Sequence, residues 1–232
     1  MTIRNRNARR ACLLVAAGVL VLTGCGEVHP GTAASVGADT IGHDEVDALA
    51  STLCAVGSAG AAAQGQPAPE TATKVNREAA LGLLLENSLS SQFGEQEGVE
   101  PDPGEVSQAL AASEANVGLL PEGEQEDLRA AIQDFEEGRS ILISVGRESL
   151  EESGRSEVSD EQALAEGQRL RAQFVRRLDI DVDPRYGSYE RGALQPGSQS
   201  LSVPASEEAV AGARAEPGPS FVSALPASQK CS

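Results

Sequence analysis

Cys54 and Cys231 stand 177 positions apart, and a bond between them would tie the last residues of the chain back to its first long helix. Such a bond needs an oxidising compartment, and the N-terminus carries the matching address. Arg4, Arg6, Arg9 and Arg10 precede an apolar run from Ala11 to Leu22, and Leu22-Thr23-Gly24-Cys25 follows at once. A basic start, a short apolar stretch and small residues before a cleavage point form the order of a secretory leader. The run falls well short of the ~20 residues that a bilayer core requires, so a permanent span is not expected there. The tetrapeptide has the pattern of a bacterial lipobox, in which Cys25 holds the thiol that takes a thioether-linked diacylglycerol. Arg9-Arg10 lacks the surrounding residues of a twin-arginine signal, which leaves the general secretion route. With Cys12 leaving in the leader and Cys25 consumed by lipid, Cys54 and Cys231 are expected to pair. In the chain-entropy model a loop of that size contributes roughly 5 kcal/mol. Neither cysteine belongs to a C-x-x-C pair, which argues against redox catalysis and zinc ribbons.

The expected division of the 232 residues is a leader over 1–24, a tether over 25–33, a helical domain over 34–190, and a Pro/Ser/Gly-rich tail over 191–232 that ends in the bonding cysteine. Past the leader, 14 basic side chains face 35 acidic ones, a formal charge of −21. Nucleic-acid affinity rests on basic side chains displacing counterions, so no nucleic-acid partner is expected. The absence of Trp, with four Phe and two Tyr, leaves base stacking equally unsupported.

Helical periodicity dominates the body. Val46, Leu49, Leu53 and Val56 share one face, with Asp44, Glu45 and Asp47 in the first turn suiting the positive end of the dipole. Gly57 to Glu70 reads as a flexible loop. A second helix runs from about Thr73 to Phe93 on Leu81, Leu85, Leu89 and Phe93, with Leu84 beside them. Asp102 and Glu105 propose a capping box for a third helix carrying Val106, Leu110 and Val117. Pro121 introduces the longest helix, Glu122 to about Glu152, striped by Leu128, Ile132, Phe135, Leu142 and Val145. Ser159 and Gln162 cap a fifth, with Leu170, Phe174 and Leu178 inward.

The period then changes. Asp179-Ile180-Asp181-Val182-Asp183 alternates as a half-buried strand does, and Pro184 ends it. Ala34 to Ala38 is the other extended piece. The fold class is therefore mainly α: about five amphipathic helices, a small two-stranded sheet joining the N-terminal and C-terminal strands, and a disordered tail tied by the disulfide. Gln195 to Gln229 has too little apolar surface to order itself, although Phe221, Val222 and Leu225 could dock once the cysteines are joined.

Chemistry is sparse. His29 falls in the tether and His43 at a helix start, so no two-histidine metal site is available within the body. Asp179, Asp181, Asp183 and Glu190 mimic the spacing of a calcium loop, but Pro184 stands where that loop needs Gly, and Ile180 and Val182 belong to a core face. The acidic clusters at Glu95 to Glu97, Glu122 to Asp127 and Glu148 to Glu152 read as solvated faces. There is no G-x-S-x-G, no Gly-rich phosphate loop, and no His placed to activate a Ser or Cys nucleophile. Neither an enzyme, nor a cofactor, nor a metal is expected.

The two ends carry a resemblance. Ala34-Ser35-Val36-Gly37-Ala38-Asp39-Thr40-Ile41, the helix that follows, and Val182-Asp183-Pro184-Arg185-Tyr186-Gly187-Ser188-Tyr189 together resemble the N-terminal chaperone domain of SurA/PrsA-type exported foldases, in the short lipoprotein form of high-GC Gram-positive bacteria. The likeness implies paired end strands and a helical cradle for unfolded or exported polypeptides. It also implies a role without isomerase chemistry, since the parvulin domain and its paired histidines are missing. On this reading Phe93, Phe135, Phe174, Arg185 and Tyr186 are the residues to contact a client. The expected protein is a non-enzymatic, chaperone-like lipoprotein at the outer face of the cytoplasmic membrane, attached through its lipid anchor only. The alternative is an envelope scaffold that binds one folded partner.

Overall fold

A computed structural model describes residues 31–195 and 203–231. The expected leader, the expected lipidation residue Cys25 and His29 of the expected tether lie outside the described residues.

The chain opens with a hairpin, β1 (Thr32–Val36) and β2 (Asp39–Gly42), and enters α1 (His43–Ala63) directly. Gly37 turns the hairpin at φ 57°, a left-handed conformation that suits a residue without Cβ, and its amide donates to the Asp179 carbonyl at 3.0 Å. After β3 (Thr71–Ala72) come α2 (Thr73–Glu97), α3 (Pro103–Val117), α4 (Glu122–Glu152) and α5 (Asp160–Val175). The chain continues through β4 (Ile180–Val182), the hairpin β5 (Ser188–Glu190) and β6 (Ala193–Gln195), and then α6 (Glu207–Gly212), α7 (Pro219–Ala224) and β7 (Lys230–Cys231). The molecule is thus mainly helical with small antiparallel sheets.

Several expectations are corrected. The sheet at the chain ends has three strands, in the order β2-β1-β4: Ala34 pairs with Val182 on one side of β1 and with Ile41 on the other. The first strand begins at Thr32, inside the expected tether, and the body reaches Gln195 through the β5–β6 hairpin rather than stopping at Glu190. Gly57 to Ala63 continues α1, because its alanines favour helix strongly enough to carry two interior glycines. The described part of the tail is ordered. Val222 on α7 is buried, and β7 pairs antiparallel with β3, so the bond between Cys54 and Cys231 (Cα–Cα 5.6 Å) adds to a backbone ladder already in place. Asp102 caps α3 by accepting from the Gly104 and Glu105 amides, but Glu105 does not reach back. Its carboxylate instead accepts from Ser140 on α4 at 2.9 Å, and Ser140 accepts the Asp102 amide. The Ser159–Gln162 box at α5 forms as expected.

The core follows the stripe on α2. Leu81, Leu85, Leu89 and Phe93 are all buried, each worth roughly 1.5–3 kcal/mol, and Ile141, Leu142 and Val145 of α4, Phe174 of α5 and the inner face of the sheet surround them. α5 crosses α4 where Gly146 faces Ala163 and Gly167, so closely that a methyl group at either glycine would overlap the backbone of the facing helix. Arg171 fastens α5 to α2, donating to Ser90 at 2.9 Å and pairing with Glu86. By length and composition α1 could cross a membrane. Here it packs beside α2 and the sheet, with Arg77 of α2 held to its Asp47 at 2.5 Å and Cys54 bonded to the C-terminal strand.

Candidate functional site

α4 is long enough to lead two different lives. Its 31 residues span about 46 Å at helical rise, whereas α5 with 16 residues covers about 24 Å. Every buried residue of α4 lies from Gly138 onward. The earlier half is flanked by α3, which folds back along it with Glu114 paired to Arg129, and by α1 and α2 on another side. Its apolar stripe, Leu128, Ile132 and Phe135, therefore continues past the end of the packed core without a cover.

That uncovered stripe forms one wall of a half-open groove of about 420 Å³. Leu49 and Leu53 of α1 and Leu84 of α2 supply the facing walls, and Phe135 projects at the rim with 47% of its surface exposed. Phe135 and the half-buried leucines beside it leave a continuous apolar surface open to solvent. The rim is acidic: Glu45, Asp127, Asp134 and Glu136 line it, and no Lys or Arg does. The Asp134 carboxyl is raised above the usual carboxylate range, first by partial desolvation and then by the charge of Glu137.

Of the residues expected to contact a client, only Phe135 reaches this groove. Phe93 and Phe174, 2% and 7% exposed, pack ring against ring at 5.7 Å in the core, with Arg177 over the Phe174 face. They serve the fold, and their spacing on amphipathic helices gave no means of separating them from Phe135. Leu49 and Leu53, half-buried, pack against the core as their stripe predicts and also line the groove, where they are joined by Leu128 and Ile132 from the stripe on α4.

Arg185 and Tyr186 lie elsewhere, at the end of the sheet. Tyr186 is 4% exposed, and its hydroxyl shares a hydrogen bond with His43 Nδ1 at 2.9 Å, while His43 Nε2 stands 3.4 Å from Asp183. Burial, and then the charge of Asp47, push the Tyr186 phenol upward. Arg185 folds back on Asp183 at 3.0 Å. The phenol–imidazole–carboxylate chain links the start of α1 to the turn after β4, residues far apart in sequence, and its position at a strand end suits fastening rather than contact. The calcium-like carboxylates do not converge: Asp183 is taken by Arg185 and His43, and Glu190 accepts from Ser188. Among the described residues, no three His, Cys, Asp or Glu side chains gather in a way that could hold a metal.

No family model, curated protein or solved structure matches the chain.

Proposed function

We propose that this protein is a lipid-anchored, extracytoplasmic polypeptide-binding protein, held through Cys25 at the outer face of the cytoplasmic membrane. It takes apolar segments of unfolded or newly exported chains and carries no prolyl isomerase chemistry. The observation that carries this reading is the groove. It is apolar along its floor, open to solvent, and walled by α1, α2 and α4, which pack on the shared core. A site of this shape can seat one face of an amphipathic segment by burying its side chains against Leu53, Leu84, Leu128 and Phe135. The pairing of β1 with β4 supports reading the helices between them as one cradle of the SurA/PrsA type.

The test is light scattering from a chemically unfolded client diluted into buffer with the oxidised chain from residue 26 onward, which contains every described element. Suppression at near-stoichiometric ratio, lost in Phe135→Asp and absent with an unrelated acidic protein, is the expected result. Absence of suppression, together with a single stoichiometric partner crosslinked in cells, would replace this reading with an envelope scaffold.

A further inference from the structure

We infer that the groove selects cationic amphipathic segments: an occupant whose apolar face seats on Leu128 and Phe135 and whose basic side chains, two helical turns apart, pair with Asp127 and Asp134. This rests on the groove being a polypeptide site and specifies which polypeptides it takes.

Charge complementarity carries the inference. Of the four rim carboxylates, two are already engaged: Glu45 accepts the Gly42 amide at 2.7 Å, and Glu136 lies 3.6 Å from Arg139. Asp127 and Asp134 have no cationic partner among the described residues. Asp134 is partly desolvated and stands beside Glu137, and a cation seated in the groove offsets the repulsion between the two carboxylates.

The spacing is equally specific. Asp127 and Asp134 are seven residues apart on α4, about 10.5 Å along the axis, and Leu128 and Phe135 repeat the same interval one position on. The apolar and acidic rows thus run side by side. A partner helix with apolar residues and Lys or Arg at matching seven-residue intervals meets both rows at once. The charge of −21 past the leader also draws such a segment toward the protein before contact.

The experiment measures fluorescence anisotropy of labelled amphipathic helical peptides against the oxidised chain from residue 26 onward. Three peptides share one apolar face and carry Lys, Gln or Glu at the two paired positions. The Lys peptide is expected to bind about fivefold more tightly than the Gln peptide, and the Glu peptide more weakly still. Added salt and the double variant Asp127→Asn, Asp134→Asn should erase the difference, and Phe135→Asp should abolish binding of all three. Equal binding of Lys and Gln peptides, unaffected by the Asn variants, would overturn the charge selection and leave the polypeptide groove standing. Failure of every peptide to bind would overturn both. A protein that sediments as a dimer broken by Phe135→Asp would assign the groove to a second copy and likewise overturn the inference.

Discussion

Gly146 on α4 lies against the backbone of Ala163 and Gly167 on α5, and Gly167 in turn lies against the backbone of Leu142 on α4, so that a Cβ at either glycine would overlap main-chain atoms of the facing helix. This crossing holds the second half of α4 in the core, while the first half runs on beyond α5 and carries Leu128, Ile132 and Phe135 to the groove.

Gly146→Ala should therefore cost about 3 kcal/mol or more, since the added methyl meets the Ala163 carbonyl and the Gly167 amide rather than a flexible side chain. Gly123→Ala on the same helix, where nothing lies within 4 Å, should leave stability unchanged or raise it slightly. Urea unfolding of the two variants checks the contrast.

Phe135 and Phe174 should separate binding from stability. Phe174→Ala leaves a cavity beside Phe93 and is expected to cost about 3–5 kcal/mol. Phe135→Ala, at a half-exposed ring, should cost less than about 1 kcal/mol and remove most client binding. Denaturant midpoints and aggregation assays on both variants supply the comparison.

Reduction of Cys54–Cys231 should destabilise the fold by up to about 5 kcal/mol. The loss is expected to concentrate in the tail. Hydrogen exchange should rise first over α7 and β7, while the β1–β4 ladder stays protected, because that ladder closes without help from the C-terminus. Uniform exchange across the body after reduction would contradict this.

Both tyrosines resist ionisation, chiefly because burial disfavours the phenolate. A folded-state value raised above about 10 means that the native state holds its protons longer than the unfolded chain. Stability is then full below the unfolded value and falls as pH rises through the folded one. Tyrosinate absorbance should titrate above pH ~10 in the native protein and near 10 in urea, and Tyr186→Phe should reduce the alkaline loss of stability.

Much of this architecture was legible in residues that obey one local rule. The α2 stripe, the limits of α4, and the Ser159–Gln162 box follow from periodicity and capping alone. The two-residue turn Arg191-Gly192 between Glu190 and Ala193 is a hairpin signal set within a polar stretch, and Arg191 there adopts a positive φ of 56°. The order in the described tail was hidden for a different reason: β7 is held by pairing with β3 and by the bond to Cys54, and α7 buries Val222, none of which local composition expresses. The groove was half legible. Periodicity placed Leu128, Ile132 and Phe135 on one stripe, but whether another helix covers a stripe depends on relative helix lengths and crossing points. The mismatch between α4 and α5 was the available clue.

The central claim is that unfolded chains bind at the α1–α2–α4 groove. Its most direct test places a photoreactive side chain at position 135 and, in a second protein, at the exposed Val210 on α6, remote in sequence from every groove residue. Each oxidised protein is irradiated with a purified client in unfolded and folded form. The account predicts crosslinks from position 135 to the unfolded client only, and none from position 210. Equal crosslinking from both positions, or none from position 135, would contradict it.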